Sequence, residues 1–460
     1  MRFWEIGFII VNFVLLAWIL FTETGRKRWS IIAMTVAYCL LIVQLTVEGY
    51  RWQMIPAYFS PVILTVCFLL KIRKINVRNW LQITVKTLLL CIYLSVAVAL
   101  PTIMPMFSLP KPNGPFMVGT TLFYWVDHQR EQPYTKDPRD RRELMVQIYY
   151  PAGDEGEGNR EPYLRNAREV GKGLEGDLSI PAFTFSHLDS VKTNAFTEAR
   201  ISNAEKQYPV LLFSHGFNGF RNQNTFEVEE LASQGYIVIC IDHAYNAAAT
   251  VYPDGRTAYF QSTNITGFSD GDRHIQLWKD DVAFVLDQVE KLNRGGLDDR
   301  FKGKIDTSRI GMFGHSYGGA TAAQMLAEDS RINAAIDMDG TLYGAKIKES
   351  GIGKPFLLMS AEMSEDDSDE FSIEEKHRKK CALAGGGMSL IIPNTDHTSF
   401  SDFHLMSPLL RSPGEDPRYV HRIINEFSLA FFDLYVKQGG NISALEKLSE
   451  KYPEVNFKVN

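Results

Sequence analysis

The first hundred residues consist of long apolar runs separated by short charged stretches. A helix needs about 20 apolar residues to cross the hydrocarbon core of a bilayer. Each run carries at most one charged residue, and the four are Phe3–Phe21, Trp29–Val47, Trp52–Leu70 and Thr87–Leu109. They predict an N-terminal bundle of about four transmembrane helices in residues 1–110. Pro56 and Pro61 should bend or delay the third helix, because proline lacks the amide hydrogen that helix bonding uses.

Other interpretations of the same runs remain open. The first and third runs are the weakest, so three spans are an alternative to four. A buried helical bundle in a soluble protein would also be apolar, although four nearly uncharged runs in succession are unusual there. A cleaved signal peptide explains at most the first run, and the basic segment Arg26-Lys27-Arg28 behind it is a poor cleavage region.

The loops between the runs differ in charge, which predicts an orientation. Basic residues fill the loop after the first run and the loop after the third, whereas the loop between the second and third has only Glu48 and Arg51. Positively charged loops stay in the cytoplasm. With four spans, a multi-pass protein of the cell membrane then has both termini, and the rest of the chain, on the extracytoplasmic side.

From about residue 111 to 460 the pattern changes to short apolar runs that alternate with amphipathic stretches. The runs typical of strands are Met117–Asp127, Leu144–Tyr150, Pro209–Ser214, Ile237–Asp242, Ile310–Phe313, Ala334–Met338, Phe356–Ser360 and Ser389–Ile392. Helical spacing occupies Asn224–Gln234, His274–Leu292, Gly318–Ala327 and Val420–Val436. This alternation predicts an α/β domain with a doubly wound, mostly parallel sheet. The polar segment 154–179 is expected to be a surface excursion, and the charged segment 366–380 a solvated loop and helix.

Charge supports the same division of the 460 residues. Residues 1–107 hold ten Lys or Arg and three Asp or Glu, whereas the remainder holds 38 and 51, a net charge of −13. An acidic domain is a poor partner for nucleic acid, so no nucleic-acid binding is expected. Only Cys240 and Cys381 lie in this part, too few for a disulfide framework.

The strongest chemical signal is the segment Gly314-His315-Ser316-Tyr317-Gly318, which lies between a predicted strand and a predicted helix. A sharp strand-to-helix turn of this kind presents a serine hydroxyl above the edge of the sheet. The flanking residues must be small, and the glycines meet that need. We therefore expect Ser316 to be a nucleophile. The alternative is a tight structural turn.

A serine hydroxyl needs a histidine base that a carboxylate holds, in the chain order serine, acid, histidine. Asp339 ends the strand after the turn and is preferred to Asp337, which we otherwise expect to be satisfied by backbone donors. His397 follows the strand Ser389–Ile392 in a loop and is the preferred base. His404 is the reserve, whereas His377 and His421 lie in predicted helical segments.

The oxyanion of a tetrahedral intermediate needs two backbone N–H groups aimed at one point. One should come from Tyr317, directly after the nucleophile, and the other from Phe217 in the loop after Pro209–Ser214. A plain strand-to-helix turn is the alternative for that loop. His215 and His315 are expected to be structural. Asp242 and His243 lack a second pair of metal ligands at suitable spacing, so neither a metal nor a cofactor is expected.

These residues carry a resemblance to a known family. The segments Phe213-Ser214-His215-Gly216, Gly314-His315-Ser316-Tyr317-Gly318-Gly319 and Asp396-His397-Thr398-Ser399-Phe400 resemble the secreted-type platelet-activating-factor acetylhydrolases, which are α/β-hydrolases of the group-VII phospholipase A2 kind. The likeness runs from about residue 114 to 437. It implies a metal-free serine hydrolase that cleaves short or oxidised acyl groups at the sn-2 position of phospholipids.

The resemblance also bears on individual residues. In that family the acid lies 23 residues after the serine, which here gives Asp339, and His397 and Phe217 match the histidine and the oxyanion loop. Two features depart from it: the well-known members lack four membrane spans, and Gly340-Thr341 replaces a bulky aromatic pair after the acid.

Together these observations predict a membrane-anchored serine esterase or lipase whose substrate is a lipid-like ester. Two other functions remain open. An acyltransferase would use the same acyl-enzyme with a different acceptor. A membrane receptor or scaffold could be built on the same fold without catalysis. Protein partners are not predicted.

Overall fold

The computed structural model describes residues 1–22, 27–72, 80–153, 158–263, 265–362 and 370–460. Within these ranges the chain forms two compact units. The helical unit comprises Met1–Phe107 together with Met406–Leu409, and the hydrolase unit comprises Ser108–Leu405 together with Leu410–Asn460. The sequence placed this division after residue 110.

The helical unit contains five helices among the described residues. They are α1 (Phe3–Phe21), α2 (Lys27–Val47), α3 (Ile55–Tyr58), α4 (Ser60–Ile72) and α5 (Trp80–Ile103). Four segments are long and apolar enough to cross a membrane: Phe3–Phe21, Arg28–Val47, Trp52–Leu70 and Gln82–Ile103. The four predicted runs therefore coincide with four candidate spans.

The third span is interrupted, as its prolines predict. A 3₁₀ turn at Trp52–Met54 precedes α3, and α4 starts afresh at Ser60. Pro56 and Pro61 are each the second residue of a helix, where the missing amide hydrogen costs little. The fourth candidate span differs from the predicted run Thr87–Leu109, because its helix, α5, begins before Lys86 and ends at Ile103.

One ion pair is buried in the helical unit. Arg51 Nη1 lies 2.9 and 3.0 Å from the two carboxylate oxygens of Glu5. Arg51 Nη2 donates to the carbonyl of Met104 at 2.7 Å. This guanidinium therefore joins the start of α1 to the end of α5. Nothing in the hydropathy pattern indicates that Glu5 and Arg51 meet.

The hydrolase unit is built on an eleven-stranded sheet. Its strands are β1 (Met117–Glu131), β2 (Arg141–Ala152), β3 (Arg160–Pro162), β4 (Lys192–Thr197), β5 (Tyr208–Ser214), β6 (Ile237–Asp242), β9 (Ile305–His315), β10 (Ile332–Met338), β11 (Phe356–Ala361), β12 (Met388–Ile392) and β13 (Asn456–Val459), while β7 (Ala249–Val251) and β8 (Thr257–Tyr259) form a separate hairpin. The order across the sheet is β13-β12-β11-β10-β9-β5-β6-β2-β1-β4-β3.

The central strands are parallel, as predicted. Pairing is parallel from β6 through β5, β9, β10 and β11 to β12. It is antiparallel where β2 meets β6 and β1, and where β13 meets β12. The carboxyl ends of parallel strands lie at one edge of a sheet, where loops collect functional residues.

Helices connect and cover these strands. They are α6 (Ala167–Leu178), α7 (Thr225–Ser233), α8 (Phe268–Asn293), α9 (Tyr317–Glu328), α10 (Glu370–Leu383), α11 (Phe403–Met406), α12 (Pro417–Tyr435) and α13 (Ile442–Lys451). The core lies between the sheet and the apolar side of α8, where Val282, Val285 and Val289 are buried among β-branched strand residues. This is the side that helical spacing predicts.

One prediction for this unit is wrong. The segment 154–179 is not simply a surface excursion, because beyond residues 154–157, which are outside the described ranges, it forms β3 and the whole of α6. Tyr163, Leu164 and Leu174 are buried. Their apolar side chains are diluted by charged and glycine neighbours, which hides the pattern. In 366–380 the described part is helical, and residues 366–369 lie outside the described residues.

Candidate active site

Ser316 occupies a strained turn between β9 and α9. Its backbone has φ 57° and ψ −121°, a conformation that a non-glycine residue adopts only when its surroundings enforce it. A Cβ on Gly314 would lie 2.3 Å from Gly318, and one on Gly318 would lie 2.0 Å from the carbonyl oxygen of Ser214. The glycines are therefore required by space, and Ser316 itself is half-buried.

His397 and Asp339 are in contact although 58 residues separate them. His397 Nδ1 lies 2.7 Å from Asp339 Oδ2. Asp339 follows the end of β10 with φ 55°, and its other oxygen accepts the amide of Ala361 at 2.9 Å. His397 stands on a 3₁₀ turn after β12 that Asp396 caps through two backbone amides. The carboxylate fixes the ring with Nδ1 protonated, which leaves Nε2 as the basic nitrogen.

The environment keeps Asp339 ionised. Burial opposes its charge, but the hydrogen bond and charge of His397 and the amide of Ala361 outweigh this and hold the pKa of Asp339 below its ordinary value. The His397 side chain is 51% exposed whereas that of Asp339 is 11% exposed. The histidine ring is therefore accessible from solvent, whereas the carboxylate that holds it is shielded.

Asp337, the alternative acid, has a different environment. It is fully buried, and its Oδ1 accepts the amide of Gly340 at 2.8 Å. Its Oδ2 has no partner among the described residues. Burial raises the pKa of Asp337 to about 8, so the group is neutral at physiological pH. The expected backbone donor is therefore present for Oδ1 of Asp337 and not for its Oδ2 among the described residues.

Ser316 and the ring of His397 are not hydrogen-bonded to each other in the described structure. Among the described residues, the Ser316 hydroxyl makes no hydrogen bond within 3.5 Å. The rings of His315 and His397 are 4.6 Å apart, centroid to centroid, so the histidine turn adjoins the elbow. Catalytic hydrogen bonds are often loose in ligand-free sites and shorten when substrate binds.

The loop after β5 passes directly beside the nucleophile. A Cβ on Gly216 would lie 3.4 Å from the Ser316 Cβ. Within the described ranges, neither the Phe217 amide nor the Tyr317 amide donates to a protein acceptor. Both are therefore available to an oxyanion. The Phe217 ring packs 5.5 Å from that of Tyr317.

The other candidate histidines lie elsewhere. His404 is buried, with Nδ1 2.6 Å from Glu415 and Nε2 2.7 Å from the Thr398 hydroxyl. It therefore supports the turn that carries His397. His377 lies in α10, where its Nε2 is 3.7 Å from the Cys381 sulfur. His421 is buried in α12, stacked 3.7 Å from Phe226.

Sequence reasoning missed a buried polar group behind β5. His243 Nδ1 lies 3.0 Å from Asp281 and its Nε2 lies 3.1 Å from the Ser214 hydroxyl. Arg142 donates twice to the same carboxylate, at 2.9 and 2.6 Å. Asp281 interrupts the apolar side of α8, and that interruption was the available signal. The described residues contain no cluster that could hold a metal ion.

An aromatic wall, defined as Phe217, Trp278, Tyr317 and His274, was also missed. The Phe217 ring lies 5.7 Å from His274 and 6.5 Å from Trp278. His274 bonds the hydroxyl of Tyr317 at 2.9 Å. Burial and the charge of Arg142 lower the pKa of His274 to about 4, so this ring is neutral. Trp278 and Tyr317 are buried, so the partly exposed rings of this wall are those of Phe217 and His274.

Two models of known protein families match the sequence of this chain. The family model described as platelet-activating factor acetylhydrolase, isoform II, matches residues 102–269 and 285–449. A model described as the alpha/beta hydrolase fold matches residues 209–350.

Individual relatives are similar over most of their length. The chain is 28% identical over 383 residues to a platelet-activating factor acetylhydrolase of Cavia porcellus, covering 75% of this chain and 81% of that one. It is 26% identical over 408 residues to a probable 1-alkyl-2-acetylglycerophosphocholine esterase of Arthroderma benhamiae, covering 80% and 98%.

A solved structure adds a third comparison. A ferulic acid esterase from Streptomyces cinnamoneus superimposes with a TM-score of 0.63 at 26% identity, covering 77% of this chain and 99% of that one. The fold, the extent of the family match and the named relatives lead to one conclusion: this chain is an ester hydrolase that belongs to the family of platelet-activating factor acetylhydrolase, isoform II, on an α/β-hydrolase fold.

Proposed function

We propose that the protein is a membrane-anchored serine esterase of lipid degradation that works through Ser316, His397 and Asp339. The observation that carries the proposal is the 2.7 Å contact between His397 Nδ1 and Asp339 beside the strained serine turn. An imidazole held in this way has a fixed tautomer and a basic Nε2. The family assignment favours this function over a non-catalytic receptor or scaffold.

The reaction proceeds in two halves. His397 Nε2 takes the proton of Ser316, whose oxygen attacks the ester carbonyl, and the amides of Phe217 and Tyr317 bind the oxyanion. The imidazolium then gives its proton to the leaving alcohol, which leaves an acyl-serine. Water, deprotonated by His397, attacks the acyl-serine and releases the carboxylic acid and free Ser316. Asp339 stabilises the imidazolium without taking its proton, and no cofactor enters.

The relatives support a glycerophospholipid with a short or oxidised sn-2 acyl group as substrate. One relative is named for platelet-activating factor and another for 1-alkyl-2-acetylglycerophosphocholine. The aromatic wall next to Ser316 is compatible with an apolar ester group. The ferulic acid esterase favours a second candidate, an ester of an aromatic acid.

The four apolar helices support the membrane anchor. Each candidate span has 19 to 22 residues, which matches the hydrocarbon core. The basic residues of the first and third connecting segments favour a cytoplasmic location for those segments. In the cell membrane, the hydrolase unit would then be extracytoplasmic. The hydrolase unit should resist protease added to inverted vesicles, and digestion there would contradict this orientation.

The catalytic proposal is tested on the full chain in detergent micelles. A fluorophosphonate should label the wild type and not Ser316→Ala. The ester panel contains 1-alkyl-2-acetylglycerophosphocholine, a long-chain diacyl phosphatidylcholine, p-nitrophenyl acetate and methyl ferulate. We expect the 2-acetyl lipid to have the highest kcat/KM. Added methanol separates hydrolysis from acyl transfer, since a transferase would form methyl ester in preference to free acid.

A further inference from the structure

Three hydrogen bonds connect the oxyanion loop, the serine turn and the histidine turn. The amide of Gly216 lies 3.1 Å from Gln223 Oε1. Gln223 Nε2 lies 2.6 Å from His315 Nδ1, and His315 Nε2 lies 2.7 Å from the carbonyl oxygen of His397. Gln223 and His315 are only 2% and 3% exposed, so water does not compete for these bonds.

The two ends of this chain of bonds fix its polarity. A backbone amide only donates, so Gln223 must turn its oxygen toward Gly216. Its NH₂ group then faces His315, whose Nδ1 must accept. The proton of the neutral ring consequently sits on Nε2, where it donates to the His397 carbonyl, which only accepts. Any other orientation of the amide or ring leaves a buried donor facing a donor.

The surroundings hold both side chains in this state. Burial, together with the nearby His397, lowers the pKa of His315 to about 3, so the ring stays neutral. A Cβ on Gly219 would lie 2.0 Å from Gln223 Oε1, which shows how closely the loop wraps the amide. The backbone carbonyl of Gln223 also accepts a hydrogen bond from the amide of Asp402 at 2.8 Å, two residues beyond the 3₁₀ turn that carries His397.

We propose that Gln223 and His315 are positioning residues that set the His397 imidazole and the oxyanion loop at a fixed separation across Ser316. This inference rests on the proposed function. The base and the oxyanion donor come from loops 180 residues apart, and the productive geometry requires both to face one carbonyl group. Misplacement of a catalytic group by about 1 Å can cost about 100-fold in rate. The network ties both loops to the elbow directly.

The principal test is Gln223→Leu in the full chain, which removes both bonds of the amide. With p-nitrophenyl acetate, kcat should fall about 10- to 100-fold while KM stays within about twofold. The matched control is Asn222→Leu, because Asn222 is also a buried amide in this turn. Its bonds run instead to Gln147 at 2.9 Å and Tyr149 at 3.0 Å. The control should keep kcat within about twofold.

Gln223→Glu supplies a readout that a purely structural role would not change. An ionised carboxylate accepts from Gly216 but cannot donate to His315 Nδ1. A protonated carboxyl does both, as the glutamine does. The ratio of kcat in Gln223→Glu to kcat in the wild type should therefore rise as pH falls from 9 to 5. If Gln223→Leu fails to fold, the pH dependence of the kcat ratio for Gln223→Glu decides whether Gln223 is a positioning residue.

The outcomes separate the two proposals. Activity that persists in Ser316→Ala overturns the proposed function itself. An inactive Ser316→Ala with an unchanged kcat in Gln223→Leu, or with a pH-independent ratio in Gln223→Glu, overturns only the positioning network. Equal losses in Asn222→Leu and Gln223→Leu would reduce Gln223 to a packing residue.

Discussion

Besides the exposed group at Ser316, His397 and Asp339, the described part of the hydrolase unit contains a buried group of serine, histidine and aspartate, and of these two the exposed group is the one open to solvent. In the buried group, Ser214 bonds His243 at 3.1 Å and His243 contacts Asp281 at 3.0 Å, with all three residues fully buried. In the exposed group, His397 contacts Asp339 at 2.7 Å and half of its side chain is accessible.

By hydrogen bonds alone, the buried group looks the more complete. Its histidine, however, is stacked 3.8 Å from Trp278, and burial lowers the pKa of His243 to about 3. Its carboxylate is shared with Arg142, which holds the pKa of Asp281 far below the ordinary value. Ser214 lies in a regular strand, whereas Ser316 has a strained backbone. Access and backbone strain therefore favour the group at Ser316 as the reactive one, which the hydrogen bonds alone do not.

The largest expected effect contrasts the two serines. Ser316→Ala should lower kcat by about 10⁶-fold if the three residues act as a unit. Ser214→Ala should keep kcat within about twofold, because its hydroxyl meets only a buried ring. Rates of p-nitrophenyl acetate hydrolysis measure both. A comparable loss in Ser214→Ala would refute the contrast between the two groups.

The second test compares the two neighbouring aspartates. Asp339→Asn should lower kcat by about 10⁴-fold, since an amide no longer holds the imidazole in the required tautomer. Asp337→Asn should retain most of the activity, because Asp337 is already neutral and, among the described residues, its carboxyl accepts a hydrogen bond only from the amide of Gly340. If Asp337→Asn were the less active variant, the assignment of the acid would be reversed.

The third test asks what the buried group contributes. Asp281→Asn leaves Arg142 buried without its counter-charge, which should cost about 3–5 kcal/mol of unfolding free energy. Thermal unfolding in detergent measures the loss. The control is Asp137→Asn, which breaks an exposed pair with Arg139 and should leave the free energy of unfolding nearly unchanged. The folded fraction of Asp281→Asn should still be labelled at the wild-type rate; slow labelling would give Asp281 a catalytic role.

The last test concerns a pH dependence of stability. The pKa of Asp337 is raised from 3.8 to about 8 in the folded state. Below pH 4 the carboxyl is protonated in both states, and its contribution is fully present. As pH rises toward 8 the unfolded chain ionises first, so stability falls. Asp337→Asn should abolish this component. The Tm difference from the wild type should widen between pH 4 and 8, and a constant difference would contradict the raised pKa.

The sequence predicted the parallel centre of the sheet because strand runs such as Ile237–Asp242 are continuous and rich in β-branched residues. The elements it missed have weaker patterns. The strand β3 has three residues, and β13 is exposed along most of its length. Apolar positions of α6 are separated by three glycines. Short or diluted elements gain their stability from tertiary contacts, which local pattern does not record.

The same distinction applies to the site. Ser316 is marked by crowded glycines, and Asp339 and His397 each follow a strand that ends at the same edge. Those signals are local. Gln223 bonds His315, 92 residues away, and Asp281 contacts His243, 38 residues away. Glu415 lies against His404 and supports the turn that carries His397. A single sequence carries no trace of such pairings. These long-range polar contacts could therefore be identified only from the fold.

The pairing of Glu5 with Arg51 has a consequence for how the chain is made. Synthesis delivers the carboxylate 46 residues ahead of the guanidinium that neutralises it. In the bilayer that we propose, a first helix inserted alone would carry this carboxylate into the headgroup boundary with only Arg2 beside it. The first helix should therefore be stably inserted only after the third segment has been synthesised, so the translocon would insert the two segments together.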